Sequence, residues 1–456
     1  MTPTDAALRE RLEEAMARHH VMAASVAVGR RGSIAVAAEG VLHARTRVRA
    51  TPASLFQIGS ITKPYTATVA MRLAEAGLID LDRPMAEALP GFRVADAEAT
   101  AVTTPRHLLT HTSGIGGDFF PDTGRGDDAL TRYAELCADL GQDVPVGVIM
   151  SYSNAGYVIL GRLIEHVTGS TWDAVLRREL LDPARLDDTC TLPEEALRHR
   201  VAWGHVAGAD GELTPVGAWS LPRCLGPAGA VCATAADVVR FAQLHLADGR
   251  AADGRQVLDA ASVTAMRTPQ VRVPEPWSTG EHCGLGWFVS APAGRRVFGH
   301  DGSTPGQNAY LVAVPEDGVA IAVLTNGGDG DGLARRLRDG LLAELCGIVM
   351  PSLPEPAPGA PPVPDDVLGR YERNGVRIDV ERRSDGRVQM TTRLIEPLLS
   401  SLPPQAPVVC VLAPTASDGV FATEPEDGGT GWPVAFLEVG GARYLHDSAR
   451  ALRRIP

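Results

Sequence analysis

Residues 55–82 read LFQIGSITKPYTATVAMRLAEAGLIDLD. After Ser60 the apolar residues recur at i, i+3 and i+4 until Gly77, which predicts a helix beginning at or just before the serine. Within it, Ser60-Ile61-Thr62-Lys63 forms an S-x-x-K element. At helical spacing the lysine falls one turn after the serine on the same face, where its amine can reach the hydroxyl. A serine at a helix start also meets backbone N–H groups and the positive end of the helix dipole, which favour the oxyanion formed when it attacks a carbonyl. For Lys63 to act as a base it must be partly neutral near pH 7, a state that burial and nearby cations bring about. Alone, the element is weak, because any helix start can contain an N-cap serine followed by a surface lysine, so the rest of the chain decides.

Upstream, residues 1–20 alternate charge with Leu, Ala and Met at helical spacing and lack the apolar core of a signal peptide. ASVAVGRRGSIAVAAEGV (24–41) then predicts a β-hairpin around an Arg-Arg-Gly turn. Downstream, helices are predicted at 128–140, 154–168 and 172–182, and at 233–249 with Thr234 as N-cap and Gly249 as stop. CGLGWFVS (283–290), RRVFGHDG (295–302) and AYLVAVPEDGVAIAVLTN (309–326) predict consecutive antiparallel strands, and GLARRLRDGLLAELCG (332–347) a closing amphipathic helix. PSLPEPAPGAPPVPDD (351–366) carries seven prolines, more than a packed element accepts. The expected organisation is a catalytic unit over 1–350, a Pro-rich linker over 351–364 and a small all-β barrel or sheet over 365–456. The fold class is therefore α+β, an α/β sandwich with an added helical portion and an all-β C-terminal domain.

At 456 residues the chain exceeds a single hydrophobic core, which agrees with two domains. Its 43 Lys+Arg against 55 Asp+Glu give −12, without a basic run interleaved with aromatics, so no nucleic-acid partner is expected. No run of about 18 apolar residues occurs, so no membrane span is expected and a cytoplasmic location is predicted. The seven cysteines show no C-x-x-C pair and are read as reduced core thiols. His107 and His111 stand at i, i+4 but without the glutamate of H-E-x-x-H, and no G-x-S-x-G elbow occurs. Neither a metal nor an organic cofactor is expected.

Two further elements complete the S-x-x-K reading. Tyr152-Ser153-Asn154 precedes the helical run AGYVILGRLIEHV, and His300-Asp301-Gly302 ends a predicted strand followed by Ser303-Thr304-Pro305-Gly306. S-x-x-K, then Y-x-N, then H-x-G resembles the motif order of the penicillin-binding-protein and class C β-lactamase superfamily. LLTHTSGI (108–115), GPAGAVCATAADVVRF (226–241), CGLGWFV and GHDGSTPGQ resemble that family too. The resemblance implies a class C β-lactamase-like α/β sandwich. It implies Ser60 as acyl-forming nucleophile, with Lys63 and Tyr152 sharing general-base and general-acid duty. Asn154 would hydrogen-bond the substrate amide or orient Lys63. The backbone N–H groups of Ser60 and Ser303 would form the oxyanion hole, with Asp301 and Gly302 beside the substrate. His300 stands where β-lactamases carry the lysine of K-T-G; mostly neutral near pH 7, it can bridge Tyr152 or the leaving group rather than hold a free carboxylate.

Three outcomes for the acyl-enzyme follow from the resemblance. The first is similar to the stand-alone penicillin-binding-protein-type thioesterases: a peptidyl group, delivered by a nonribosomal peptide synthetase carrier domain and ending in a D-residue, is cyclised head to tail, and the C-terminal domain is lipocalin-like. The second is a D-stereospecific peptidase, amidase, esterase or β-lactamase-like hydrolase with the same motifs. The third is a catalytically idle binding protein, which the intact Ser60, Lys63, Tyr152 and Asn154 disfavour.

Overall fold

The computed structural model describes every residue except 1, 209–210, 220, 358, 396–405 and 427–430. Its architecture is organised by Val319–Asn326, a strand buried along its whole length. Side chains alternate across a strand, so Val319, Ile321 and Val323 pack into one apolar layer while Ala320, Ala322 and Leu324 pack into another. A strand apolar on both faces must be covered on both faces. It lies between Ala23–Arg30 and Gln307–Val314, antiparallel to both. The full sheet has eight antiparallel strands, in the order 33–40, 23–30, 319–326, 307–314, 297–304, 288–290, 282–283 and 271–272.

Two helices cover the first face. Asp5–His19 and Gly330–Cys346 bury Leu8, Leu12, Leu337 and Leu341 against Val26 and Val28. The helical portion covers the second face, led by Ala235–Leu246, whose Thr234 cap accepts the Asp237 N–H. That helix comes so close that a Cβ on Gly29 would lie 2.4 Å from Val239 Cγ1. The α/β sandwich of the sequence reading is thus present. All seven cysteines are buried thiols.

Eight antiparallel strands among the described residues between Gly369 and Ile455 form a closed barrel, sealed by the pairing of Arg370–Glu372 with Arg453–Ile455. Alternating inward residues, among them Tyr371, Ile378, Val380, Phe436, Leu445 and Leu452, fill its core. The described residues of 351–364 carry neither helix nor strand. They are nonetheless tied down, because Ala357 N–H donates to Pro414 O at 2.9 Å and Val363 is buried in the barrel core. Among the described residues no helix is long and apolar enough to cross a membrane.

One local expectation changes and one gains detail. The single strand predicted over 283–290 is a tight hairpin, His282–Cys283 against Phe288–Ser290. Gly286, at φ +89°, makes the turn and sends Trp287 fully into the core. The helix expected to begin at or just before Ser60 does so, opening as a 3₁₀ turn, Gly59–Ile61, that runs into the α-helix Thr62–Glu75.

This helix is buried on nearly every side, against Asn154–Thr168 and the short helix Gly226–Gly229. The latter two meet at Gly161, where a Cβ would stand 2.1 Å from Pro227 Cγ. Gly161→Val therefore forces Pro227 and Ala228 outward. We expect a loss of about 1–3 kcal/mol in denaturant unfolding, typical of overpacking, together with slower acylation of Ser60, since Ala228 supplies a contact to Lys63 described next.

Candidate active site

The Ser60 turn meets the strand Val297–Thr304 backbone to backbone. Gly59, at φ +51°, has no room for a Cβ, which would lie 2.6 Å from Ser303 N. A Cβ on Gly302 would lie 2.1 Å from Ile58 O and 2.7 Å from Ser60 N. Two glycines facing one another thus let the Ser60 and Ser303 nitrogens approach, an arrangement suited to a shared oxyanion. This explains the glycine of the His300-Asp301-Gly302 element by close approach rather than by a side-chain contact.

Lys63 lies one helical turn on, fully buried. Its Nζ is 3.0 Å from Ser60 Oγ and donates to Asn154 Oδ1 and to Ala228 O, each at 2.7 Å. Burial drives its pKa well below the ordinary lysine value and the charge of Arg450 adds to this, while Asp118 opposes both. A neutral amine has two N–H groups and one lone pair. With the two N–H groups taken by Asn154 and Ala228, the lone pair is left for the Ser60 hydroxyl.

Asn154 opens the helix Asn154–Thr168, capped by Ser153 Oγ accepting the Gly156 N–H. Its other amide end donates to Asp118 Oδ1 at 3.0 Å. Asp118 is in turn gripped by two arginines of the barrel, Arg373 at 2.8 Å and Arg450 at 2.8 Å, both on Oδ2. Burial opposes its ionisation, but Arg450 and Arg373 outweigh it and hold the carboxyl at about 2. The Arg450 guanidinium also lies 5.0 Å over the Tyr152 ring.

Tyr152 is stacked on His111, ring centroids 4.2 Å apart, and its backbone N–H donates to Ala449 O at 2.8 Å. Burial raises its phenol well above the ordinary value, against the influence of Ser60 and Arg450. The phenol thus faces the Ser60 hydroxyl closely enough to feel it, but it makes no hydrogen bond of ordinary geometry. His300 Nδ1 lies 2.6 Å from Asp301 O, and a carbonyl only accepts, so Nδ1 carries the proton. Nε2 is left as a buried lone pair without a protein partner. Burial, with help from the Lys63 charge, pushes this histidine down to about 3, so it is neutral at any physiological pH. Asp301 is exposed toward the groove beside Ser60.

Ser60 sits where two cavities meet. One, about 290 Å³, is lined by Phe120, Leu221, Leu225 and Gly229. The other, about 550 Å³, runs past Tyr152, His300 and Asp301 to Trp277, Tyr310 and Trp432. Every candidate named from sequence, Ser60, Lys63, Tyr152, Asn154, His300, Asp301, Gly302 and Ser303, converges here. Sequence reasoning missed Asp118, the Ala228 carbonyl, Arg373 and Arg450. Asp118 does follow the quoted LLTHTSGI segment closely, but nothing local marks it as a partner of Asn154.

A serine with a buried lysine one turn on and a tyrosine beside them, set against an antiparallel sheet, defines an active-site-serine enzyme of the class C β-lactamase type. The pattern of the family described as Beta-lactamase matches residues 8–344, and the chain belongs to that family. Penicillin-binding protein 4 of Amycolatopsis lactamdurans is 48% identical over 376 residues, 80% of this chain and 97% of its own. Among solved structures, SurE with D-Leu is 27% identical and covers 99% of both chains at a TM-score of 0.80. A class C β-lactamase from Rhodobacter sphaeroides shares the fold over 73% of this chain and 99% of its own, at 21% identity and a TM-score of 0.60.

Arg450 and Lys63 are the most directly testable pair. Arg450→Met removes a charge that depresses Lys63 and leaves Asp118, which raises it, less compensated. Both changes favour the protonated lysine, so the acid limb of the acylation rate profile should move to higher pH. A limb that stays in place would show that Lys63 does not feel the barrel.

Proposed function

We propose that this protein is a serine acyl-transferase that takes a peptidyl ester or thioester onto Ser60 and releases it by attack of the peptide's own amine, closing a head-to-tail ring. The observation that carries this reading is the likeness to SurE over 99% of both chains, barrel included, in a structure that holds D-Leu. The D-Leu in that neighbour supports a D-configured residue at the acyl terminus, and a nonribosomal synthetase carrier domain is the proposed donor.

The chemistry follows from the geometry. As Ser60 Oγ attacks the carbonyl, its proton passes to the Lys63 lone pair, and the oxyanion is met by the Ser60 and Ser303 N–H groups. The leaving thiol takes a proton through Tyr152, and Asn154 keeps Lys63 aimed. The amine then attacks the acyl-enzyme, its proton returns through the same pair, and Ser60 Oγ leaves. His300 Nε2 accepts a hydrogen bond from the Tyr152 hydroxyl or from the incoming amine. A hydrolase needs room only for water on the leaving side. Here a cavity of about 550 Å³ beside Ser60 leaves room for a second peptide segment next to the acyl bond, and holding the amine end near the acyl end would favour the folded conformer from which the intramolecular attack occurs.

A second reading, acylation by a β-lactam or hydrolysis of a D-residue ester, is favoured by the name of the Amycolatopsis relative. Against it, the cation that such sites offer to a free carboxylate is missing at His300, and Arg450 is engaged by Asp118.

A linear peptide thioester ending in a D-residue, incubated with the protein and with Ser60→Ala, separates the readings. We expect a product lighter than the free acid by one water, absent with the variant. Linear acid alone would assign a hydrolase, and the absence of any acyl-enzyme would remove the catalytic role of Ser60.

A further inference from the structure

Glu275 is a carboxylate buried to 1% exposure that the chemistry above leaves unused. It stands at the start of 276–281, the stretch that walls the larger cavity. Its oxygens accept the Ser278 N–H at 3.0 Å, the Ser278 hydroxyl at 2.6 Å and, across the domain boundary, the Ala449 N–H at 3.4 Å. These donors offset part of the burial that pushes its carboxyl up to about 7.

Ala449 is half of a two-residue turn, Ser448–Ala449, that joins the barrel strands Ala442–Asp447 and Arg450–Ile455. Both turn residues are left-handed, at φ +51° and +64°. Such a turn matches the twist of a hairpin but favours Asn-Gly, because a Cβ is strained there. Ser and Ala therefore need outside support. Ala449 O receives the Tyr152 N–H, the Ala449 N–H donates to Glu275, and one residue past Arg450 the Ala451 N–H donates to Ser151 Oγ at 3.1 Å. The residue that follows the turn is Arg450.

We propose that Glu275 is a positioning residue: its carboxylate ties the groove wall at Ser278 to the strained Ser448–Ala449 turn, and thereby sets Arg450 on Asp118 and Tyr152 beside Ser60. Its kinetic consequence rests on the acyl-transfer reading, whereas its structural consequence does not. An apolar residue would fill the same buried position without spanning the boundary.

The test uses the full chain, with Glu275→Ala, Glu275→Gln, and Glu275→Ala combined with Ser448→Asn and Ala449→Gly, which give the turn its preferred residues. Hydrogen exchange of amides 446–452 is followed by mass spectrometry, and acylation by the burst of nitrophenolate from p-nitrophenyl acetate. For Glu275→Ala we expect faster exchange confined to 446–452, a burst rate at least tenfold lower and an acid limb displaced to higher pH. Glu275→Gln should fall between it and the parent, and the turn substitutions should restore both exchange and rate. Unchanged exchange in Glu275→Ala and Glu275→Gln would overturn the proposal, as would a defect that the turn substitutions leave in place. Should the parent protein give no burst while the exchange pattern follows expectation, the acyl-transfer reading falls and the positioning role stands.

Discussion

The amine of Lys63 is enclosed by protein, and the arrangement around it follows from that one constraint. An ammonium so buried carries a large desolvation penalty, which the neutral form escapes. Neutrality alone would leave two N–H groups in search of acceptors. The helix Asn154–Thr168 supplies one through Asn154, and the short helix Gly226–Gly229 supplies the other through the Ala228 carbonyl. The close crossing at Gly161 and Pro227 exists to bring those acceptors together. What remains of the amine, its lone pair, faces the hydroxyl one turn back.

The part of this that a sequence carries is the part set by local spacing. Ser60 and Lys63 lie one turn apart because S-x-x-K on a helix leaves no alternative, and Tyr152 and Asn154 are identifiable because a helix start follows them. The sheet was legible because VAIAVLTN and its neighbours are short continuous apolar runs bounded by turn residues, the mark of strands buried on both faces. Periodicity fails where a glycine reverses the chain, as Gly286 does within CGLGWFVS, and there one predicted strand becomes two. Nor does it carry backbone atoms. The Ala228 carbonyl and the Ser303 nitrogen have no signature in side-chain pattern. Asp118, Arg373 and Arg450 are ordinary charged residues in sequence, and only the docking of the barrel makes them neighbours.

That docking is intimate rather than peripheral. The strand Arg450–Ile455 and the turn before it lie along Met150–Tyr152: His446 Nε2 donates to Met150 O at 3.0 Å, the Tyr152 N–H donates to Ala449 O at 2.8 Å, and the Ala451 N–H donates to Ser151 Oγ at 3.1 Å. Asn374 adds a bond from its side chain to Asp118 O at 2.9 Å. The tyrosine beside the nucleophile is thus held from behind by the C-terminal domain.

Electrostatics tie the two domains together at the candidate site. Without Arg373 and Arg450, the Asp118 carboxylate would face Asn154 and Lys63 with no cation but the lysine itself, and would draw a proton onto it. A protonated Lys63 has no lone pair to offer Ser60. With both arginines in place, Asp118 is neutralised twice over, the surplus positive charge lies near the amine, and the field favours the neutral base. Breaking a buried pair by removing one partner is costly because it strands the other charge, so the arrangement is stable only when assembled whole. By setting the charge of Asp118's surroundings, the barrel thus decides whether Lys63 is the neutral base that the proposed chemistry asks of it.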